Sequence, residues 1–135
     1  MHIAELSDLS LDLPAGYTTL RNASKVLASY GINIDAVCVP GGSDTSCHLL
    51  VRDGKRAAEV LTRHGLTVLA TRRVHALRIP NRPGTLTRVL ELLAPHEHLV
   101  EFVYQATDRG LVLGSNDPDL VLLALAPLLK EATAA

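Results

Sequence analysis

Residues 76–125 read ALRIPNRPGTLTRVLELLAPHEHLVEFVYQATDRGLVLGSNDPDLVLLAL. Ala76–Ile79 is a short apolar strand candidate, and Asn81-Arg82-Pro83-Gly84 breaks it. Leu86, Val89, Leu90 and Leu93 then recur at the spacing of one helical face, and Pro95 ends the pattern. Leu99–Gln105 reads as an apolar strand. Asp108-Arg109-Gly110 turns the chain and Leu111–Leu113 returns it antiparallel. Asp117 can cap a second helix that has Pro118 at its first position. From Leu120 to Leu125 that helix is apolar on nearly all sides, so a partner is expected to cover it in addition to its own sheet.

Working outward, the same order recurs upstream. Leu20, Ala23, Val26, Leu27 and Tyr30 form a helical face closed by Gly31. Ile32–Val39 and Thr45–Arg52 make a hairpin around Pro40-Gly41-Gly42. Asp53 caps a helix running to His64, and Gly65 ends it. Leu66–Ile79 is a long β-rich run that can serve as the last strand of one copy and the first of the next. The copies align by element order, with Asn33 opposite Leu99 and Asp53 opposite Asp117, and they share few residues. Strand, helix, strand, strand, helix, strand is the split βαβ order. The expected fold is therefore α+β: two ferredoxin-like βαββαβ units, residues 1–72 and 73–135, with antiparallel sheets and helices on one face.

Composition narrows the classes of function. Of the 135 residues 47% are hydrophobic and 20% charged, enough for a sizeable core. That core must be aliphatic, since there is no Trp, one Phe and three Tyr. Thirteen basic side chains nearly balance fourteen acidic ones and form no basic stripe, which argues against nucleic acid as a partner. The start, MHIAELSDLSLDL, has neither the basic nor the apolar region of a signal peptide. No apolar run reaches the roughly 18 residues a membrane span needs, so a cytoplasmic protein is expected.

Three motifs carry a family resemblance. Asn81-Arg82-Pro83-Gly84-Thr85-Leu86 resembles the N-(K/R)-P-G-x-L loop between first strand and first helix of ACT domains. Gly31-Ile32-Asn33-Ile34 is similar to the G-(V/I)-N-I that opens their second strand. Val51-Arg52-Asp53-Gly54-Lys55-Arg56-Ala57 is similar to the V-D-D-P-x-K-A that opens their second helix. The resemblance covers nearly the whole chain, twice, and points to a free-standing tandem ACT protein without a catalytic domain. It implies a regulatory, non-enzymatic role. A free amino acid would be held at an interface between two units, and no cofactor or metal would be needed. In that family the first loop of one unit faces the second strand of another. Here this pairs Asn81, Arg82, Pro83, Gly84, Thr85 and Leu86 with Asn33 and Ile34.

The chemistry of that loop stands without the family. A zwitterion offers a carboxylate, and a helix start offers unpaired N–H groups and partial positive charge. Gly84 lets a ligand approach its backbone, and Asn81 and Asn33 each carry donors and an acceptor. A plainer reading is that Asn81 only caps the helix and Asn33 only satisfies local backbone. The equivalent second pocket would use Asp12, Leu13, Pro14 and Tyr17 with Leu99 and Val100. There an acid replaces the amide and His98-Leu99 replaces Ile-Asn, so that pocket is altered or lost.

Other signals point elsewhere. Cys38 and Cys47 stand equidistant from the hairpin centre and are expected opposite each other, as core thiols. His96-Glu97-His98 lacks a third metal ligand. No motif for nucleophilic, nucleotide-binding or zinc-hydrolase chemistry is present. The competing functions are an interaction module with a vestigial pocket, and a metal or thiol switch. A homodimer is expected, because exposed apolar helices and sheet edges need cover.

Overall fold

Leu9 and Leu11 alternate with Ser10 and Asp12 along one strand, and Cys47, Leu49 and Val51 alternate along another. That period of two gives each strand one apolar face. In the computed structural model, which describes residues 2–106 and 110–128, both strands turn these faces toward the same core. The elements are β1 (His2–Asp12), α1 (Tyr17–Ser29), β2 (Ala36–Cys38), β3 (Ser46–Val51), α2 (Gly54–Arg63) and β4 (Val68–Arg78). They continue with α3 (Thr85–Leu93), a 3-10 turn (Ala94–Leu99), β5 (Val100–Ala106), β6 (Gly110–Ser115) and α4 (Pro118–Ala124).

The chain divides into two compact units: Leu6–Arg73, and residues 2–5 together with the chain from Val74 onward. The first unit has strand order β2-β3-β1-β4, so its last strand lies beside its first, as in the ferredoxin-like arrangement. β1 pairs antiparallel with β3, Leu9 facing Leu49. Leu9, Leu11, Leu49 and Leu61 are fully buried in its core, with Ala23 and Leu27 of α1 and Ala57 of α2. In the second unit the order is β5-β6-β4-β1, and its core gathers Leu77, Val89, Leu93, Leu111, Leu113 and Val121.

The run after Gly65 does serve twice: Val68–Arg73 closes the first unit and Val74–Arg78 opens the second. β1 is divided in the same way. Its residues 2–5 take the fourth-strand position of the second unit, which a division at 72/73 had assigned to the first. Nothing in the alternation of β1 signals this, because an apolar strand reads the same whichever sheet accepts it.

Both helix caps form. The Asp53 carboxylate accepts the Arg56 N–H at 3.1 Å, and the Asp117 carboxylate accepts the Leu120 N–H at 3.2 Å. Asp53→Ala should cost about 1 kcal/mol, seen as a lower urea midpoint with an unchanged slope. β2 is much shorter than expected, and β5 keeps its expected length but starts one residue later. Ile32–Asp35 stays outside β2, where the Asn33 amide donates to the Asp35 carboxylate at 2.6 Å and the Asp35 N–H still donates to the Leu50 carbonyl of β3 at 2.8 Å. α3 ends at Leu93, before Pro95 as expected, and Leu99 closes the separate 3-10 turn that follows, with Pro95 tolerated at that turn's start. Asp108 and Arg109, expected to turn the β5–β6 hairpin, lie outside the described residues.

The cysteines are not opposed. β2 and β3 pair Cys38 with His48 and Val37 with Leu49. A shift of one residue puts Cys47 on the core face and Cys38 on the other.

Candidate functional site

Ile79 leaves β4, and Pro80 and Pro83 hold the following segment out of regular structure. Gly84 then adopts φ 92°, in the left-handed region, and leads into α3. No side chain caps α3. Asn81 therefore does not serve as its cap, which removes the plainer reading of that residue. The Thr85 N–H donates to the Arg82 carbonyl at 3.2 Å, so that backbone donor of the helix start is already committed. What the helix start presents is an uncapped first turn beside a left-handed glycine.

A cavity of about 360 Å³ opens there, lined by Asn81, Arg82, Pro83, Gly84, Thr85 and Leu86. Its size suits a small ligand. Its far wall is Gln105, Gly110 and Leu111, which reading the sequence missed. The signal lay in the topology. Gln105 faces Leu111 across the β5–β6 ladder, and β6 is next to β4. The end of β5 and the start of β6 thus arrive where β4 ends. Apolar Ile79 and Leu111, the amides of Asn81 and Gln105, and the Arg82 guanidinium give the cavity both polar and apolar walls.

The other expected residues fall as follows. Asn33 is exposed and lines a cavity of the first unit with Gly31, Asp35, Arg52, Asp53 and Arg56. Ile34 is half-buried and packs against that unit's core. Of the second-pocket residues, Leu13 is a core side chain at 5% exposure and its N–H donates to the Thr45 carbonyl at 2.7 Å. It is not free to meet a ligand. Asp12 ends β1 half-buried, Pro14 is exposed, and Tyr17 is 77% exposed on the first turn of α1. Leu99 is half-buried, and Val100 packs against the second unit's core.

One polar pair was not singled out from the sequence. Asp8 of β1 is fully buried, and its two carboxylate oxygens lie 3.0 and 3.1 Å from His48 Nδ1 on β3. An acid at the middle of an alternating strand is the mark it leaves in the sequence. Among the described residues no group of three or more His, Cys, Asp or Glu side chains is arranged to hold a metal ion. Among them, too, no helix is long and apolar enough to cross a membrane.

No known family profile matches the sequence, and no curated protein matches it. Solved structures do. A protein of Bacteroides thetaiotaomicron superposes with a TM-score of 0.70 at 25% identity, over 93% of this chain and 88% of that one. The ligand-free regulatory subunit of aspartate kinase from Thermus thermophilus gives 0.63 at 17% identity, over 94% and 96%. Aspartokinase III of E. coli, in complex with aspartate and ADP, gives 0.60 at 16% identity, over 90% of this chain and 31% of that one. The α+β architecture, antiparallel strands with helices in the ferredoxin-like order, is thus a fold shared with the regulatory subunit of aspartate kinase and with part of aspartokinase III.

Proposed function

We propose that this protein is a non-catalytic regulatory domain that binds a free amino acid at the loop from Asn81 to Leu86. The observation that carries this reading is the uncapped start of α3, with Gly84 at φ 92°, opening on a cavity. The ligand carboxylate would take the open backbone donors of that first turn, each bond to a charged group contributing about 1.5–3 kcal/mol. Asn81 and Gln105 would sort the ammonium and side-chain ends, and Arg82 would favour the carboxylate. Asn33 and Ile34 of another unit would close the site, as the family resemblance implies. The likeness to aspartate kinase regulatory structures favours a regulatory role over catalysis.

A homodimer fits the same reading. Leu86 and Leu90 of α3 are 52% and 47% exposed, and Leu123 of α4 is 70% exposed. A helical face of that kind is better covered than solvated. The same face favours the second reading, an interaction module whose pocket no longer binds.

A thermal-shift screen of the free amino acids separates the two. At a hundredfold excess over Kd the bound form should gain about 2.7 kcal/mol, visible as a rise of several degrees. Asn81→Ala should shrink the rise for the amino acid that produces it, with the unliganded melting point unchanged. A flat response to every amino acid from folded protein would sink the sensor reading and leave the interaction module.

A further inference from the structure

Asn33 and Asp35 stand two residues apart in the segment that precedes β2. Asp35 is anchored at its backbone, its N–H donating to the Leu50 carbonyl of β3 at 2.8 Å. Its carboxylate accepts the Asn33 side-chain amide at 2.6 Å. A carboxylate only accepts, so the group bonded to it is the Asn33 NH2, and that settles which way round the amide stands. The amide oxygen lies on the other side of the planar group, turned away from Asp35. Asn33 is itself exposed, so that oxygen is what it offers to a ligand.

Net charge does not decide which end of a zwitterion meets Asn33. Arg52 and Arg56 line the same cavity as Asp35 and Asp53, two cations against two anions. The hydrogen-bonding groups do decide it. An ammonium has donors and no acceptor, and a carboxylate has acceptors only. The Asn33 oxygen can meet the first and not the second. The remaining amide hydrogen sits on the nitrogen already beside the Asp35 carboxylate, where a second carboxylate would meet like charge. We infer that Asp35 is a positioning residue of the amino-acid site proposed above, and the inference rests on that reading: by holding the Asn33 amide, Asp35 makes Asn33 an acceptor for the ligand ammonium. Without Asp35 the Asn33 side chain is spread over its staggered rotamers and both amide orientations. The apparent affinity then falls with the fraction in the right state, roughly three- to tenfold.

The test is a calorimetric titration of the full chain with each proteinogenic L-amino acid and, for any that binds, with its deaminated carboxylic acid. The wild type should prefer the amino acid over the deaminated acid by about tenfold or more. Asp35→Ala should weaken binding of the amino acid roughly three- to tenfold and leave that of the deaminated acid unchanged. A merely structural loss would weaken both alike. Asp35→Asn keeps an acceptor for the Asn33 amide and should keep the selectivity. Unaltered selectivity in Asp35→Ala would overturn the assignment of Asp35 alone. So would equal losses in Asp35→Ala and Asp35→Asn, the mark of a carboxylate that touches the ammonium itself. Absence of binding by every amino acid to folded wild type would remove the amino-acid site and the role of Asp35 in it together.

Discussion

Gly110→Ala is expected to destabilise the protein by about 3–5 kcal/mol, a large part of a typical domain's total. Gly110 opens β6 at φ 82°, a conformation that costs an L-residue about 1–2 kcal/mol. Space is the larger obstacle. A Cβ there would overlap the Leu77 carbonyl oxygen and lie 2.7 Å from the carbonyl carbon and 2.9 Å from Arg78 Cα. These are backbone atoms of β4, paired with β6 through Leu77 and Leu111, so the strands would have to part. Gly110 and Leu111 also wall the cavity beside the Asn81 loop. Urea unfolding should show the loss of stability, and any amino-acid response should fall with it. Gly84→Ala makes the control: its φ of 92° is also left-handed, but a Cβ there meets nothing within 4 Å. It should cost only about 1–2 kcal/mol.

The second large effect is a difference between the two thiols. Burial, with smaller contributions from the Asp8 charge and from Cys38, pushes the Cys47 thiol up to about 11. At pH 8 a thiol of that kind is ionised in roughly one molecule per thousand, against about a quarter for an ordinary cysteine. Since the thiolate is the reacting form, Cys47 should be inert in the folded protein. Cys38, half-buried on β2, is the one to react. Titration with a disulfide reagent at pH 8 should show one thiol in the native protein and two after unfolding, and Cys38→Ser should abolish the native reaction. Equal rates for both would contradict the placement of Cys47 in the core. The register of β2 and β3 adds to this: with Cys38 opposite His48, the two sulfurs lie on opposite faces and are not placed as a cross-strand disulfide switch.

Much of the fold was legible because its signals are local. Asp53 and Asp117 announce their helices, Gly31 and Gly65 end theirs, and the alternation of β3 marks its buried face. What stayed hidden depends on which strand meets which. The assignment of residues 2–5 to the second unit, the pairing of Cys38 with His48, and the buried Asp8–His48 contact are all facts of register and sheet order. One residue of slip reverses a strand's faces and leaves no trace in composition. The site divides the same way. The loop from Asn81 to Leu86 is a local motif, whereas Gln105 and Leu111 reach its cavity through the β4-β6-β5 order. Leu13 reads as a loop residue by its place beside Pro14, yet its backbone bond to Thr45 draws it into the core.

The most direct test of an amino-acid site at the Asn81 loop is an amide chemical-shift titration of the full chain with each free amino acid. One amino acid should produce saturable shifts concentrated at Gly84, Thr85, Leu86 and Gln105. Saturable shifts confined to other residues, or no saturable shift with any amino acid, would contradict it.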